Sequence, residues 1–437
     1  MADLVEALEA TPGAPGDAIP KRAILAATMG NALEFYDFMT FAFFAIQIGR
    51  AFFPSGDPFV SLMSSLATFG AGFVTRPLGA YILGGYADRV GRRPAMLVSM
   101  SLMGAAIAVL ALTPPYASIG IAAPVLAIAA RLLQGFALGG EIGSASSYMI
   151  EAATPARRGF TISLQSASQS AAAATGSLVG LGLSAVLSSA ALDAYGWRIA
   201  LLLGTLIVPF AIVVRRGLPE TLGDAVAEHG AAREPLGAYA RPLFLGFVMI
   251  GSSTIVGYIF QYMATYGQAT LKLSETTSFA AEFLNNFAAI GAAILGGLWC
   301  DRYGRRPVMI WPRVAFTALI IPVFLWLTNA RDATSFLSAN VILSFVDGLV
   351  YGAVYASIIE SVPPQIRSRA FALVYSIPVA LFGGTTQMVV TWLLHATGSA
   401  MSIAWYLVAV SLIGLAAMVG MKETAPALAR RGAAFAQ

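Results

Sequence analysis

The chain holds 437 residues, of which 58% are hydrophobic and only 11% charged, with a mean hydropathy of +0.75 and a net charge of +4. A water-soluble domain carries about a quarter charged residues, so the polar surface needed to cover a core of this size is missing. A cytosolic enzyme, a secreted module and a disordered scaffold are excluded. One cysteine, Cys300, forbids an intrachain disulfide, and two histidines, His229 and His395, lie too far apart in sequence to suggest a metal site.

In chain order, residues 1–20 carry Pro12, Gly13, Pro15 and Gly16 among acidic side chains and no apolar run, which reads as a disordered tail and not a signal peptide. Apolar runs of membrane-spanning length then follow at Ile24–Ile48, Phe59–Ala87, Ala95–Thr113, Ile121–Ile150, Phe160–Leu187 and Trp197–Val214. After a more charged stretch, Arg215 to Arg241, six more runs come at Pro242–Gly267, Thr276–Trp299, Val308–Leu327, Ser335–Ile359, Ala370–Leu394 and Met401–Met421. Their length and Leu/Ala/Phe/Gly content predict helices, not a barrel. The organisation expected is a six-helix bundle over residues 21–216, a linker over 217–241, a second bundle over 242–425 and a tail over 426–437.

The basic residues orient this arrangement. Lys21, Arg22, the Arg89–Arg93 cluster, Arg157, Arg158, Arg215, Arg216, Arg302, Arg305, Arg306, Arg367, Arg369 and Lys422 fall on one side of the alternating spans. Arg50, Arg198, Lys272 and Arg331 fall on the other. The positive-inside rule makes the first side cytoplasmic, with both termini and the linker on it. Basic residues at helix ends account for the net charge as membrane topology, without a nucleic-acid partner. Arg76, Arg131 and Arg313 remain inside or at the edge of apolar runs, where each costs about 2.5 to 3.5 kcal/mol to insert.

The chain also repeats itself. GGYADRVGRRP (Gly84 to Pro94) returns as GGLWCDRYGRRP (Gly296 to Pro307), each after the second span of its half. EAATPARR (Glu151 to Arg158) returns as ESVPPQIR (Glu360 to Arg367), each after the fourth. Two copies in register with the same sidedness predict two parallel bundles related by an axis along the membrane normal. Each repeated loop matches acids to bases: Asp88 with Arg92 and Arg93, Glu151 with Arg158, Asp301 with Arg305 and Arg306, Glu360 with Arg367. Such clusters form a latch that holds the cytoplasmic side closed, or act only as topology signals.

The G-G-x-x-D-R-x-G-R-R-P loop and its echo resemble the signature of the major facilitator superfamily. With GNALEFYDF (Gly30 to Phe38), TRPLGAYILGGYADRVGRRP (Thr75 to Pro94), RLLQGFALGGEIG (Arg131 to Gly143), ATPARRGF (Ala153 to Phe160) and GWRIALLLG (Gly196 to Gly204), the chain is similar to the metabolite:proton symporter family over Ala23 to Lys422. The first half is most similar to citrate–proton symporters and tricarballylate transporters. The resemblance implies an all-α membrane protein of twelve transmembrane helices in two pseudo-symmetric bundles. It also implies alternating-access symport of a di- or tricarboxylate with protons or sodium in a bacterial inner membrane, by a chain that works as a monomer without a cofactor. Other members of the family carry oxoglutarate, shikimate, proline or betaine.

Transporter sites lie near the bilayer midplane between the halves, and in this fold the first and fourth helices of each half line the cavity. In span 1, Asn31, Glu34 and Asp37 fall on one broad helix face. They suit either proton or sodium coupling or a structural pair; Glu141 and Asp347 are the further ion-coupling candidates. Arg131 in span 4, with Gln134 one turn on, and Arg76 in span 2 are the candidate anion binders; an internal pairing of Arg131 with Glu34, Asp37 or Glu141 is the other reading. Gln165 and Gln169 in span 5 suggest a wet helix face. Tyr258, Gln261, Asn285, Tyr351 and Tyr355 in the second half offer neutral donors for carboxylate oxygens. Arg313 ranks last, as a residue near the start of its span.

Overall fold

The computed structural model describes residues 35–425 apart from 37, 91, 140–145, 147–148, 151–152 and 206–235. At 84–85, 87–90, 92–96, 236, 364–366 and 368–369 it describes the backbone alone. Asn31, Glu34, Asp37, Glu141 and Glu151 therefore lie outside the described residues, and the side chains of Asp88, Arg92 and Arg93 do too.

The first half contains α1 (Ala45–Phe52), α2 (Pro58–Val74), α3 (Arg76–Val90), α4 (Arg92–Leu112), α5 (Ala122–Leu138) and α6 (Arg158–Val186). The second contains α7 (Ala240–Ala269), α8 (Glu275–Tyr303), α9 (Arg305–Ala330), α10 (Ala333–Gly348), α11 (Tyr351–Glu360), α12 (Pro364–Pro378), α13 (Gly384–Thr397) and α14 (Met401–Gly420). Among the described residues, seven helical stretches are long and apolar enough to cross a membrane. Leu97–Leu112 and α5 are shorter apolar helices. The long α6 is diluted by Ser, Gln and Ala.

Sequence chemistry sets the helix starts. Asp57 caps α2, its carboxylate accepting from the Phe59 N–H at 2.9 Å, with Pro58 in the first turn. Ser274 caps α8 through the Thr277 N–H, followed by Glu275 in the first turn. Asp332, in the loop before α10, accepts from the Ser335 N–H at 2.6 Å. That bond holds its carboxyl below the ordinary range. Gly304 separates α8 from α9 with φ +99°, a backbone that L side chains rarely adopt, so the repeated motif needs glycine there.

Several of the expected spans are interrupted within the described residues, span 1 at Phe44 among them. Span 2 bends at Thr75 between α2 and α3, span 10 bends between Gly348 and Tyr351, and span 11 passes through a π turn at Val379–Gly383 after Pro378. Breaks of this kind within helices are frequent at functional sites.

The halves meet most extensively where α6 packs on α8, and also where α6 packs on α11 and α2 on α13. Small residues permit the close approach. A Cβ on Gly70 would stand 2.6 Å from the Gly384 carbonyl oxygen, and one on Gly159 would stand 2.8 Å from Asp301 Oδ1.

Candidate functional site

Two cavities lie along the seam. The larger, about 890 Å³, has Arg50, Phe59, Lys272, Glu275 and His395 in its wall. Asp301 sits at the other end of α8, about 40 Å from Glu275 along the helix axis. The large cavity forms a vestibule at the Glu275 end of the seam.

Asp301 organises the opposite end of the seam. Its carboxylate crosses between the halves and accepts from the Gly159 and Phe160 N–H groups at 2.7 and 2.8 Å, at the N-terminus of α6. A helix N-terminus is where a carboxylate is best held. Arg305 donates to Asp301 at 3.2 Å and grips Glu360 with Nε and Nη2 at 3.1 and 3.0 Å. Arg158 of the first half stands 3.8 Å from Glu360. Of the residues expected in the latch, Arg158, Asp301, Arg305 and Glu360 come together here, with one repartnering. Glu360 is held by Arg305 and Arg158, whereas Arg367 donates to the carbonyls of Ile359 and Val362. The sequence reading overlooked Glu423, which accepts from the Arg305 and Arg306 N–H groups at 2.9 Å each. A TM-end acid poised over the start of α9 was the available signal. Arg306 itself donates to the Val419 carbonyl.

The smaller cavity, about 140 Å³, lies between the halves at mid-span. Its wall brings together seven of the candidates: Gln169, Tyr258, Gln261, Asn285, Asp347, Tyr351 and Tyr355. Tyr375 of α12 and Val379 of the π turn complete one side. Buried amide atoms without a hydrogen-bond partner among the described residues, Gln169 Nε2, Gln261 Oε1 and Asn285 Oδ1, belong to this wall. Buried polar atoms are costly unless satisfied, which marks a wall built to bond something polar.

Arg76, Arg131, Gln134 and Gln165 do not line that cavity. Arg131 is fully buried, donates to Gln134 at 2.7 Å and lies over the rings of Phe38 and Phe41, at 4.4 and 4.6 Å. Arg76 lies 4.6 Å from the same Phe38 ring and 4.3 Å from Phe73. Phe38 is therefore contacted by two guanidinium groups. Gln165 accepts from Ser146 at 2.6 Å. Behind the wall, Phe73 packs edge-on to Tyr258 with centroids 5.4 Å apart, and Tyr258 and Tyr375 lie within electrostatic reach of Arg76.

The second half holds buried charge of which the sequence named Asp347 as a coupling candidate, ranked Arg313 last and missed Glu282. Arg313, 0% exposed, stands 2.9 Å from Asp347 Oδ1, an ion contact whose angles fall outside a hydrogen bond, and reaches Ser253 at 3.2 Å. Tyr351 donates to Asp347 Oδ2 at 3.1 Å. Glu282 of α8, also 0% exposed, was not singled out at all; its Oε1 accepts from Asn286 Nδ2 at 3.1 Å. An acid within the apolar run beginning at Thr276, one turn before Asn285 and Asn286, was the signal available.

Comparison with known proteins agrees with this architecture. Residues 27–377 match the sequence profile of the Major Facilitator Superfamily. The chain is 40% identical over 402 residues to a citrate–proton symporter of Salmonella typhi, covering 90% of this chain and 92% of that one. It is 38% identical over 400 residues to a citrate–proton symporter of Klebsiella pneumoniae, covering 90% of each. A proline/betaine transporter of Salmonella typhimurium is 29% identical over 423 residues, 93% of this chain and 84% of that one. Among solved structures, a D-xylose–proton symporter superposes with a TM-score of 0.73 at 16% identity, covering 94% of this chain and 98% of that one. That likeness carries the fold. The chain is a multi-pass membrane transporter, not an enzyme, and it belongs to the major facilitator superfamily.

Proposed function

We propose that this transporter imports a di- or tricarboxylate such as citrate together with protons, across a bacterial inner membrane, with both termini cytoplasmic. The observation that carries the reading is the identity of about 40% to citrate–proton symporters over nine tenths of both chains. The geometry supports it. Amide and phenol groups of both halves line the central cavity, and the two guanidiniums on Phe38 lie behind it. Carboxylate oxygens would bond to Gln169, Gln261 and Asn285, while Arg76 and Arg131 supply positive charge.

Transport proceeds by alternating access. With the Asp301 latch engaged, the vestibule admits substrate; breaking that latch opens the cavity to the cytoplasm. The halves are bundles over 21–216 and 242–425 joined by a linker over 217–241, and the chain acts as a monomer. Asn31, Glu34, Asp37, Glu141 and Asp347 contribute to ion coupling. A trivalent anion entering a negative interior is opposed by about 2.3 kcal/mol per charge per 100 mV. Several protons must therefore accompany it.

A second reading, a zwitterionic osmolyte such as proline or betaine, draws support from the relatives at 29% identity and from Tyr258, Tyr351, Tyr355 and Tyr375 in the cavity wall. Aromatic faces attract quaternary ammonium groups. Uptake of labelled citrate into proteoliposomes of the purified chain decides between them. An inward proton gradient should drive accumulation without sodium, with tricarballylate competing and proline not. Accumulation of betaine in place of citrate, or a strict need for sodium, would reject the first reading.

A further inference from the structure

Glu282 differs from the other buried acid of the second half in what surrounds it. Asn286 Nδ2 donates both to its Oε1, at 3.1 Å, and to its main-chain oxygen, at 2.8 Å. Its Oε2 has no hydrogen-bond partner among the described residues, and no ion pair described there includes it. Asp347, by contrast, stands 2.9 Å from Arg313.

The elements packed on α8 bring little compensating charge. Between residues 159 and 186, α6 has no titratable side chain. From α7 come Tyr258, Tyr262 and Tyr266, and from α11 Tyr351 and Tyr355. The Arg313 of α9 and the Asp347 of α10 hold each other. Span 1 touches α8 where Phe44 packs on Phe279, and its described part adds Tyr36 and Arg50, the latter paired with Asp193 at 2.6 Å. The Arg305–Glu360 cluster lies near Asp301, about 28 Å further along the helix.

We propose that Glu282 is a proton-carrying carboxyl of this transporter, coupled to substrate through Asn286. The inference rests on the proton-symport reading above. A carboxylate in an apolar span with only the amides of Asn285 and Asn286 beside it among the described residues is costly, and protonation removes the charge. While the site faces the vestibule, a hydronium ion of the vestibule water gives up a proton, its O–H bond breaking as the carboxyl O–H bond forms and water is left. The carboxyl bond breaks when the site faces the cytoplasm, the proton passing to water and the electron pair staying on the carboxylate; nothing is oxidised or reduced.

Asn285 and Asn286 supply the link, because both line the central cavity. A substrate carboxylate that draws the Asn286 N–H groups toward itself deprives ionised Glu282 of its donor, so substrate and proton bind better together than apart. That reciprocity is what coupled transport requires.

The test uses the purified full chain in proteoliposomes with labelled citrate as probe. Wild type should exchange citrate at equilibrium and accumulate it under an inward proton gradient. Glu282→Gln should keep exchange within about threefold while its accumulation ratio falls tenfold or more, toward unity. Accumulation at the wild-type level overturns the proposal, and so does parallel loss of exchange and accumulation in folded protein, the mark of a structural residue. If Glu282→Gln yields no folded protein, Glu282→Asp carries the test: drive should persist with its pH midpoint displaced by about half a unit or more, and an unchanged midpoint overturns the proposal. A wild type that exchanges citrate but ignores the proton gradient refutes the symport reading instead, so the two failures are distinct.

Discussion

The two halves hold their buried charge in different ways. In the first, the guanidiniums of Arg76 and Arg131 lie 4.6 and 4.4 Å from the Phe38 ring, which they share, with Phe73 and Phe41 beyond. In the second, Arg313 lies against a carboxylate at 2.9 Å with a tyrosine bonded to that carboxylate. A cation on aromatic faces gains about 2 kcal/mol when desolvated. A cation paired to a buried carboxylate gives its positive field up to its partner. The first centre sets its guanidiniums against aromatic rings; the second ties three helices, α7, α9 and α10, together.

Arg131→Ala breaks this comparison most directly. Loss of a buried charge-assisted contact costs about 2 to 5 kcal/mol, or about thirtyfold and more in affinity. Citrate binding should fall by that much, and Arg131→Lys, which keeps the charge but loses the planar fork, should fall between. Citrate affinity within twofold of wild type in folded Arg131→Ala protein would pass the role to Arg76.

Arg313 should behave differently. Removing one member of a buried pair leaves the other uncompensated, at a cost of about 3 to 5 kcal/mol in stability. Arg313→Met and Asp347→Leu should each lower the melting temperature in detergent by several degrees, whereas the double variant should recover most of the loss. A double variant as unstable as the sum of the two singles would show that the pair is not the source of the effect.

A smaller effect is expected at the latch. Asp301→Asn weakens charge-assisted bonds to the α6 N-terminus, worth about 1.5 to 3 kcal/mol at most. Cys300 is the chain's one cysteine and is buried beside Gly159. It therefore reports opening of this end without an engineered probe. Alkylation of Cys300 should quicken severalfold in Asp301→Asn, and an unchanged rate would leave Asp301 outside the closure.

How much of this was legible in the sequence follows from how far each feature reaches. The repeated loop was readable because its chemistry is local: Gly304 turns the chain, and Arg305 reaches Asp301 one turn back. The polar wall was readable because Tyr258, Asn285 and Tyr351 sit in apolar runs where polarity has no other use. Pairing between helices was not. Glu360 takes Arg305, 55 positions away, in place of the nearer Arg367, and Arg313 takes Asp347. Spacing fixes which residues share a helix face, but packing decides which face meets which. The aromatic setting of Arg76 and Arg131 escaped for the same reason, since Phe38, Phe69 and Phe73 come from helices whose contacts no periodicity reveals.

The smallest effect expected is at Arg50, where the buried pairs can be set against an exposed one. Arg50 meets Asp193 at 2.6 Å, yet its side chain is 59% exposed, and such pairs contribute about 0 to 1 kcal/mol because water and salt screen them. Arg50→Gln should leave the melting temperature within about a degree of wild type. Its consequence lies elsewhere, because Arg50 also lines the vestibule, with Lys272 as the other basic residue and Glu275 opposing them. Removing Arg50 leaves Asp193 uncompensated near the mouth and makes the approach less favourable for an anion. Citrate uptake below saturation should drop about twofold at 10 mM salt, where the screening length is about 30 Å, and recover at 0.15 M, where it is about 8 Å. A loss that persists at high salt would mean that Arg50 touches the substrate, and a large fall in melting temperature would mean that exposure does not separate this pair from the one at Arg313.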